Sequence, residues 1–157
     1  MRVVIQRVNN ASVTIDEIRG SVIKNGLLLL VGFETADNED HLIWMAKKIV
    51  QLRIFDDDSG VMNCSILDLY HSSISEKPGI LVVSQFTLFA LTKKGNRPSY
   101  IRAAPPQISI PLYEGFVQKI RSLFPGSVET GKFGAEMKVE LVNDGPVTIW
   151  IDSNNKE

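Results

Sequence analysis

The sequence has little of the chemistry on which many enzyme sites depend. It contains one cysteine and two histidines in 157 residues, which excludes an internal disulfide and favours a reducing compartment. It has no Cys-x-x-Cys, His-x-x-Glu-His or Gly-x-Ser-x-Gly motif, and no glycine-rich phosphate loop before a helix. The acidic run Asp56–Asp58 lacks the alternating ligands and the closing glutamate of a calcium loop. We therefore expect neither a metal site nor a cofactor.

Long apolar runs and an excess of one charge are also missing. The longest apolar run, Leu27–Val31, is far too short to span a bilayer, and the amino terminus has no apolar segment of signal-peptide length. The net charge of −1 means that any contact with nucleic acid must use a local patch. The 44% of apolar residues is typical of a globular protein. We expect one cytoplasmic domain over residues 1–157, without a membrane contact.

The order of predicted elements favours an α+β fold over alternating βαβ units. Strands are predicted at 3–7, 12–15, 18–24, 27–33, 53–55 and 80–89, and in two closing stretches at 137–141 and 147–152. Asn25-Gly26 predicts a hairpin. Asp37 is the predicted N-cap of a first helix, and a last helix is predicted from near Ser109, with Pro111 in its first turn.

The predicted strand at 80–89 begins as an apolar, β-branched run and then becomes polar. Ser84, Gln85 and Thr87 place two hydroxyls and an amide where a buried strand needs apolar side chains. Each buried polar group costs about 1–3 kcal/mol unless it is hydrogen-bonded, and a bound substrate is one candidate partner. Thr87 is a possible nucleophile, but no base accompanies it in the sequence, and a threonine that bonds a neighbour in a strand is the commoner case.

Two further stretches leave alternatives open. Between Pro78 and Tyr113 there is no acidic residue, but there are four basic ones: Lys93, Lys94, Arg97 and Arg102. This pattern fits a solvated basic loop and a phosphate-contacting surface equally well. Gly145-Pro146, between the two closing stretches, is either an ordinary trans turn or a rigid dipeptide whose carbonyls point into a site.

The same motifs resemble a known family. Ser84-Gln85-Phe86-Thr87-Leu88 and Asn143-Asp144-Gly145-Pro146-Val147-Thr148 are similar to the two signature motifs of the D-aminoacyl-tRNA deacylases. The resemblance covers essentially the whole chain and includes Gln6-Arg7-Val8, Arg53-Ile54-Phe55, Gly95-Asn96-Arg97-Pro98 and the stretch from Thr130 to Met137. Asn9-Asn10 departs from the Thr-Arg that many members carry, which puts one surface contact to RNA in doubt.

The resemblance implies a fold and an activity. Members are homodimers with a compact β-barrel-like α+β fold of mixed sheets and a few packed helices. They hydrolyse the ester that joins a D-amino acid to the 3′-terminal adenosine of tRNA, and they clear glycine from alanine tRNA. Each active site lies at the subunit interface, where one subunit supplies the Ser-Gln-Phe-Thr motif and the other a cis Gly-Pro.

The resemblance also assigns roles to residues of this chain. Catalytic and adenosine-holding roles fall to Ser84, Gln85, Phe86 and Thr87. The backbone N–H groups around Phe86 and Thr87 are candidates for binding the developing oxyanion. The family is thought to use the 2′-hydroxyl of the terminal ribose in place of a protein base.

The other expected contacts surround this group. Gly145 and Pro146 form a gate that rejects L-amino acids, Arg7 orients the gate by hydrogen bonds to its backbone, and Phe133 and Met137 are pocket walls. The basic residues at 93, 94, 97 and 102 are the expected RNA contacts.

Two other classes of function remain possible from the sequence. One is an editing module like that of archaeal threonyl-tRNA synthetases, against which the absence of a synthetase sequence up to Glu157 argues. The other is a non-catalytic RNA-binding protein that uses the four basic residues. Loss of turnover with retained RNA binding in Gln85 or Thr87 variants would distinguish an enzyme from a binder.

Overall fold

The computed structural model describes residues 1–156, apart from the side chain of Arg19. Eight strands and three α-helices follow one another along the described residues. They are β1 (Arg2–Ile15), β2 (Ile18–Ile23), β3 (Gly26–Gly32), α1 (Glu39–Gln51), β4 (Phe55–Asp56), β5 (Met62–Cys64), α2 (Ile66–His71), β6 (Gly79–Ser84), α3 (Pro106–Leu123), β7 (Ser127–Thr130) and β8 (Met137–Asp152). A short 3₁₀ helix, Phe86–Phe89, follows β6.

Strand β1 organises a nearly closed, barrel-like mixed sheet, which confirms the expected α+β fold. One edge of β1 pairs with β8 along almost its whole length, from Arg2↔Asp152 to Ile15↔Met137. The other edge pairs first with β3 and then with β2, and the sheet continues from β3 through β6 to β7 in parallel. The β1–β8 register shifts on both sides of Val8, opposite the Gly-Pro stretch of β8.

Both faces of the central strands β3 and β6 are buried, which explains their apolar sequences. Alternate residues such as Leu29 and Val82 join the larger core, which α1 and α3 cover. The residues between them, such as Leu28 and Leu81, face a smaller core inside the curled sheet. Within residues 1–156 no helix is both long and apolar enough to cross a membrane.

The ends of both long helices differ from the prediction. The N-cap of α1 is Asn38, whose side chain accepts the N–H groups of residues 40 and 41. Asp37, the predicted cap, is instead buried against the ammonium group of Met1. Helix α3 begins at Pro106, so that Pro111 lies inside the helix and not in its first turn. Proline at the first helical position lacks an N–H that the helix would not have used, so it is a suitable start.

Three predictions about the strands were wrong. Asn25-Gly26 does not make a hairpin, since β2 and β3 both pair with β1 and lie end to end along it. The two closing stretches form one strand, β8, which the Gly-Pro stretch interrupts only as a bulge. The strand predicted at 53–55 begins at Phe55 and pairs with β5, which was not predicted.

Candidate active site

The polar residues after β6 lie at a change of backbone conformation. The N–H of Gln85 donates to Val31 O at 2.7 Å, and the next turn closes with the N–H of Leu88 bonded to Gln85 O. A strand through residue 89 was therefore the wrong prediction, because β6 ends at Ser84 and a 3₁₀ helix follows. Gly32 allows this turn to pack closely, since a Cβ there would lie 2.8 Å from Gln85 O.

This change of conformation opens a cavity of about 260 Å³ beside the end of β6. Ser84, Gln85 and Phe86 line one side of it, and Phe133 and Met137 line another. These five predicted site residues are therefore brought together. The remaining lining residues come from β3 and the residue after it, from β6, from the region around the start of α3, and from β8 and the segment before it: Val31, Gly32, Phe33, Val83, Ala104, Ser109, Gly134, Ala135 and Val139. None of the described lining residues is a histidine, a cysteine, a lysine or an acid.

Thr87 is adjacent to the cavity but is not part of its lining. Its hydroxyl accepts a hydrogen bond from Gln85 Nε2, so the two side chains form a short polar bridge across the turn. The backbone N–H groups of Phe86 and Thr87 begin the 3₁₀ helix, and no acceptor in the described chain takes them up. The segment therefore offers two free backbone donors and no titratable base.

Gly145 and Pro146 form an exposed bulge on β8, away from the cavity of their own chain. Their peptide bond is cis, so the interpretation as an ordinary trans turn was wrong. Gly145 has φ +108°, a conformation that strongly favours glycine. A Cβ at this position would also lie 2.8 Å from Arg7 Nη2, so the absence of a side chain lets the guanidinium approach the bulge.

Arg7 holds this bulge, but not by the bonds that were expected. Its side chain is only 8% exposed, and Nη1 donates to Ile54 O at 2.7 Å. Nε forms an ion pair with the carboxylate of Asp144 at 2.9 Å, while Nη2 packs against Gly145. The expected hydrogen bonds to the Gly-Pro backbone are replaced by this ion pair and this packing contact.

Asn143 is a positioning residue that the sequence prediction missed. Its Nδ2 donates to Arg7 O at 2.9 Å and to Val147 O at 3.0 Å, and its Oδ1 accepts from Gln6 Nε2 at 3.3 Å and from Thr148 Oγ1 at 3.1 Å. The amide thus uses both donor hydrogens and both acceptor lone pairs to join the ends of the bulge to β1. The available signal was its place in the second signature motif, directly before Asp144-Gly145-Pro146.

The predicted RNA contacts divide into two groups. Lys93, Lys94 and Arg97 are exposed on a loop whose ends are joined by hydrogen bonds between residues 91 and 99. This loop lies beside the cavity, because the Tyr100 ring packs edge-on against Phe86 at 5.0 Å. Arg102 follows this loop in the chain, and its guanidinium forms an ion pair with Glu34 at 3.1 Å.

Solved structures define the class to which this fold belongs. The chain is similar to the c-Myc DNA Unwinding Element Binding Protein, with a TM-score of 0.87 and 38% identity over 97% of this chain and 98% of that one. It also shares its fold with a probable eukaryotic D-amino acid tRNA deacylase, with a TM-score of 0.74 and 15% identity over 96% and 97%. The barrel-like α+β sheet of this chain is therefore the fold that these two solved structures share.

Sequence comparison then gives the family. The family model described as D-Tyr-tRNA(Tyr) deacylase matches residues 4–152. Curated proteins named D-aminoacyl-tRNA deacylase are 59% identical in Bacteroides fragilis (strain YCH46), 56% in Flavobacterium psychrophilum and 52% in Chromobacterium violaceum, each over 100% of both chains. The chain belongs to the D-Tyr-tRNA(Tyr) deacylase family. The resemblance found in the sequence is confirmed, and with it the expected enzyme class, a D-aminoacyl-tRNA deacylase among the hydrolases.

Proposed function

We propose that residues 1–157 form one domain that hydrolyses the ester of D-aminoacyl-tRNAs at a site shared by two copies of the chain. One copy supplies the cavity at Ser84–Phe86, and the other supplies Gly145-Pro146. The products are a free D-amino acid and tRNA, so the reaction serves translational proofreading in the cytoplasm. Because glycine has no side chain to reject, glycyl-tRNA(Ala) is accepted as well.

One observation supports the proposal that two copies of the chain share an active site. Gly145 and Pro146 are exposed and firmly held, by Arg7 below and Asn143 across the base, yet they do not line the cavity of their own chain. A tip that is held this rigidly and projects from the surface is suited to enter a second molecule. Phe86, at the cavity, is 57% exposed and offers an apolar surface to receive it.

The chemistry requires few protein groups because an aminoacyl ester is already activated. Water attacks the ester carbonyl carbon, the bond from that carbon to the ribose 3′-oxygen breaks, and the 3′-oxygen takes up a proton. The backbone N–H groups of Phe86 and Thr87 stabilise the oxyanion that forms. The neighbouring 2′-hydroxyl relays the proton, which agrees with a cavity that has no described titratable residue in its lining.

Chiral selection follows from the rigidity of the gate. Inverting the α-carbon exchanges a hydrogen for a side chain, and a backbone carbonyl of Gly145 or Pro146 that cannot retreat clashes with that side chain. A clash of this kind is independent of side-chain chemistry, so many D-amino acids are accepted.

On the RNA side, Lys93, Lys94 and Arg97 contact phosphates, and Arg102 contributes less because Glu34 already binds it.

Single variants test whether the chain is an enzyme or a binder. We expect Gln85→Ala to lose deacylation of D-tyrosyl-tRNA while it retains tRNA affinity, because the Gln85 side chain lines the cavity, which Thr87 does not. Thr87→Ala should retain part of its turnover, since the hydroxyl is not the nucleophile. If both variants hydrolyse D-tyrosyl-tRNA at the wild-type rate, the assigned site is wrong.

A mixing experiment tests the shared site. Asn143→Asp loosens the gate and should hydrolyse L-tyrosyl-tRNA, whereas Gln85→Ala should be inactive. In a symmetric dimer that contains one copy of each variant, the intact cavity of the Asn143→Asp chain receives the intact gate of the Gln85→Ala chain. An excess of Gln85→Ala should therefore suppress L-hydrolysis and preserve D-hydrolysis. Persistence of L-hydrolysis in the mixed dimers would show that each chain uses its own gate.

A further inference from the structure

Both tryptophans of the chain lie in one groove outside the cavity. The groove, of about 370 Å³, runs between α1 and the end of β8, and Trp44, Lys48, Trp150 and Lys156 line it. Trp150 is 47% exposed. Two indole faces at one open groove provide a surface on which flat rings can stack.

The charge of the groove is positive. The ammonium groups of Lys156 and Lys48 lie 4.5 Å and 5.8 Å from the centroid of the Trp44 ring. Neither lysine forms an ion pair with any described carboxylate. Asp152, the acid that lines the groove, is already bound by Arg2 at 2.9 Å. The groove therefore offers two cations beside aromatic faces, and no described carboxylate neutralises either of them.

A chain of contacts joins the groove to the active-site turn. Arg2 Nη1 donates to Leu88 O at 2.9 Å, in the 3₁₀ helix that follows the cavity-lining residues. Its guanidinium lies 4.5 Å from the centroid of Phe89 and 5.6 Å from that of Trp150. Arg2 therefore packs between the groove and the 3₁₀ helix that follows the cavity-lining residues.

We propose that the groove lined by Trp44, Lys48, Trp150 and Lys156 is a second RNA contact, which binds phosphates and an unpaired base of the tRNA acceptor end. This inference rests on the proposed function, because it takes tRNA as the ligand. RNA fits better than a second copy of the chain, since charged residues, lysine above all, are depleted at the centre of interfaces between protein subunits. Phosphates pair with ammonium groups, and bases stack on indoles.

The intrinsic fluorescence of the tryptophans can be used to detect binding in the groove. Because the chain has only two, deacylated tRNA should quench its intrinsic fluorescence, whereas a D-aminoacyl-adenosine analogue that fills the cavity alone should not. The double variant Lys48→Ala/Lys156→Ala should raise KM for D-tyrosyl-tRNA about tenfold and reduce the salt dependence of tRNA affinity. Its kcat, and its hydrolysis of D-tyrosyl-adenosine, should match the wild type.

Lys47→Ala/Lys138→Ala is the matched control, because it removes two exposed lysines that do not line the groove. The inference is overturned if the control raises KM equally, or if the groove variant loses D-tyrosyl-adenosine hydrolysis to the same extent as tRNA hydrolysis. It is also overturned if the groove variant becomes monomeric in sedimentation, which would identify the groove as a contact between copies. Fluorescence with deacylated tRNA needs no turnover, so failure of the deacylase assignment would be recognised separately.

Discussion

Replacing Asn143 with aspartate should weaken chiral discrimination more than catalysis. The change is almost isosteric, but it exchanges the two Nδ2 hydrogens for a carboxylate oxygen that faces the carbonyls of Arg7 and Val147 at 2.9 and 3.0 Å. Arg7 does not compensate, because its guanidinium already binds Asp144 and Ile54 O. The base of the Gly-Pro bulge should open as a result, while the cavity at Ser84–Phe86 is untouched.

The size of the effect follows from the bonds that are lost. Two hydrogen bonds at about 1 kcal/mol each amount to about 2 kcal/mol, before any repulsion between the new charge and the carbonyls is added. This corresponds to about a 30-fold shift toward displaced gate positions. We expect the ratio of D- to L-tyrosyl-tRNA hydrolysis to fall by about that factor, mainly because the L-ester is now cleaved.

Initial rates with both aminoacyl-tRNAs measure this ratio directly. Asn10→Asp is the matched control, since it makes the same change at an exposed position of β1. A thermal melt confirms that each variant is folded. An unchanged D-to-L ratio in folded Asn143→Asp would refute the reasoning, because the gate would then be held without this side chain.

Three further predictions concern stability. Asp37→Asn leaves the buried amino-terminal ammonium without its charge partner and should lower the free energy of unfolding by about 3 kcal/mol in urea denaturation. Tyr113→Phe removes a hydroxyl that donates to a buried carbonyl of β6, which should cost about 1 kcal/mol by the same measurement. Because burial raises the pKa of Tyr113 to about 12 from its ordinary value of 10.0, this contribution is complete below pH 10 and is lost as the pH rises toward 12. For Asp152, burial opposes ionisation, but hydrogen bonds from Arg2 and a backbone N–H hold the pKa below its ordinary 3.8. The stability that Asp152 contributes above pH 3.8 is therefore lost as the pH falls through the lower pKa of the folded state. When the free energy of unfolding is measured against pH, Asp152→Asn should reduce its decrease in acid.

Local sequence predicted the features that short-range chemistry determines. The alternation in β8 and the apolar run of β3 correctly predicted strands. The cost of burying Ser84 and Gln85 predicted a site. In the structure, Ser84 and Gln85 line the same cavity as Phe133 and Met137. The resemblance to the family, and not periodicity, suggested that residues so far apart in the chain would meet.

The features that were missed depend on partners far away in the sequence. Asp37 is as good an N-cap as Asn38 by propensity, but the ammonium of Met1 binds its carboxylate and leaves the cap to Asn38. The role of Asn143 depends on a register shift between two strands more than 130 residues apart in sequence. Single-strand patterns contain no information about such a shift.

The position of the proposed gate on a bulge explains why a strand, and not a flexible loop, would carry it. On both sides of the bulge β8 is paired with β1, so the ends of the interruption are fixed by the sheet. Asn143 then joins those ends, and Arg7 fixes Asp144 from below. The exposed Gly145-Pro146 backbone consequently has little freedom to yield to a side chain. The proposed rejection by a clash requires that stiffness, because a gate that moved by about an ångström would admit both enantiomers.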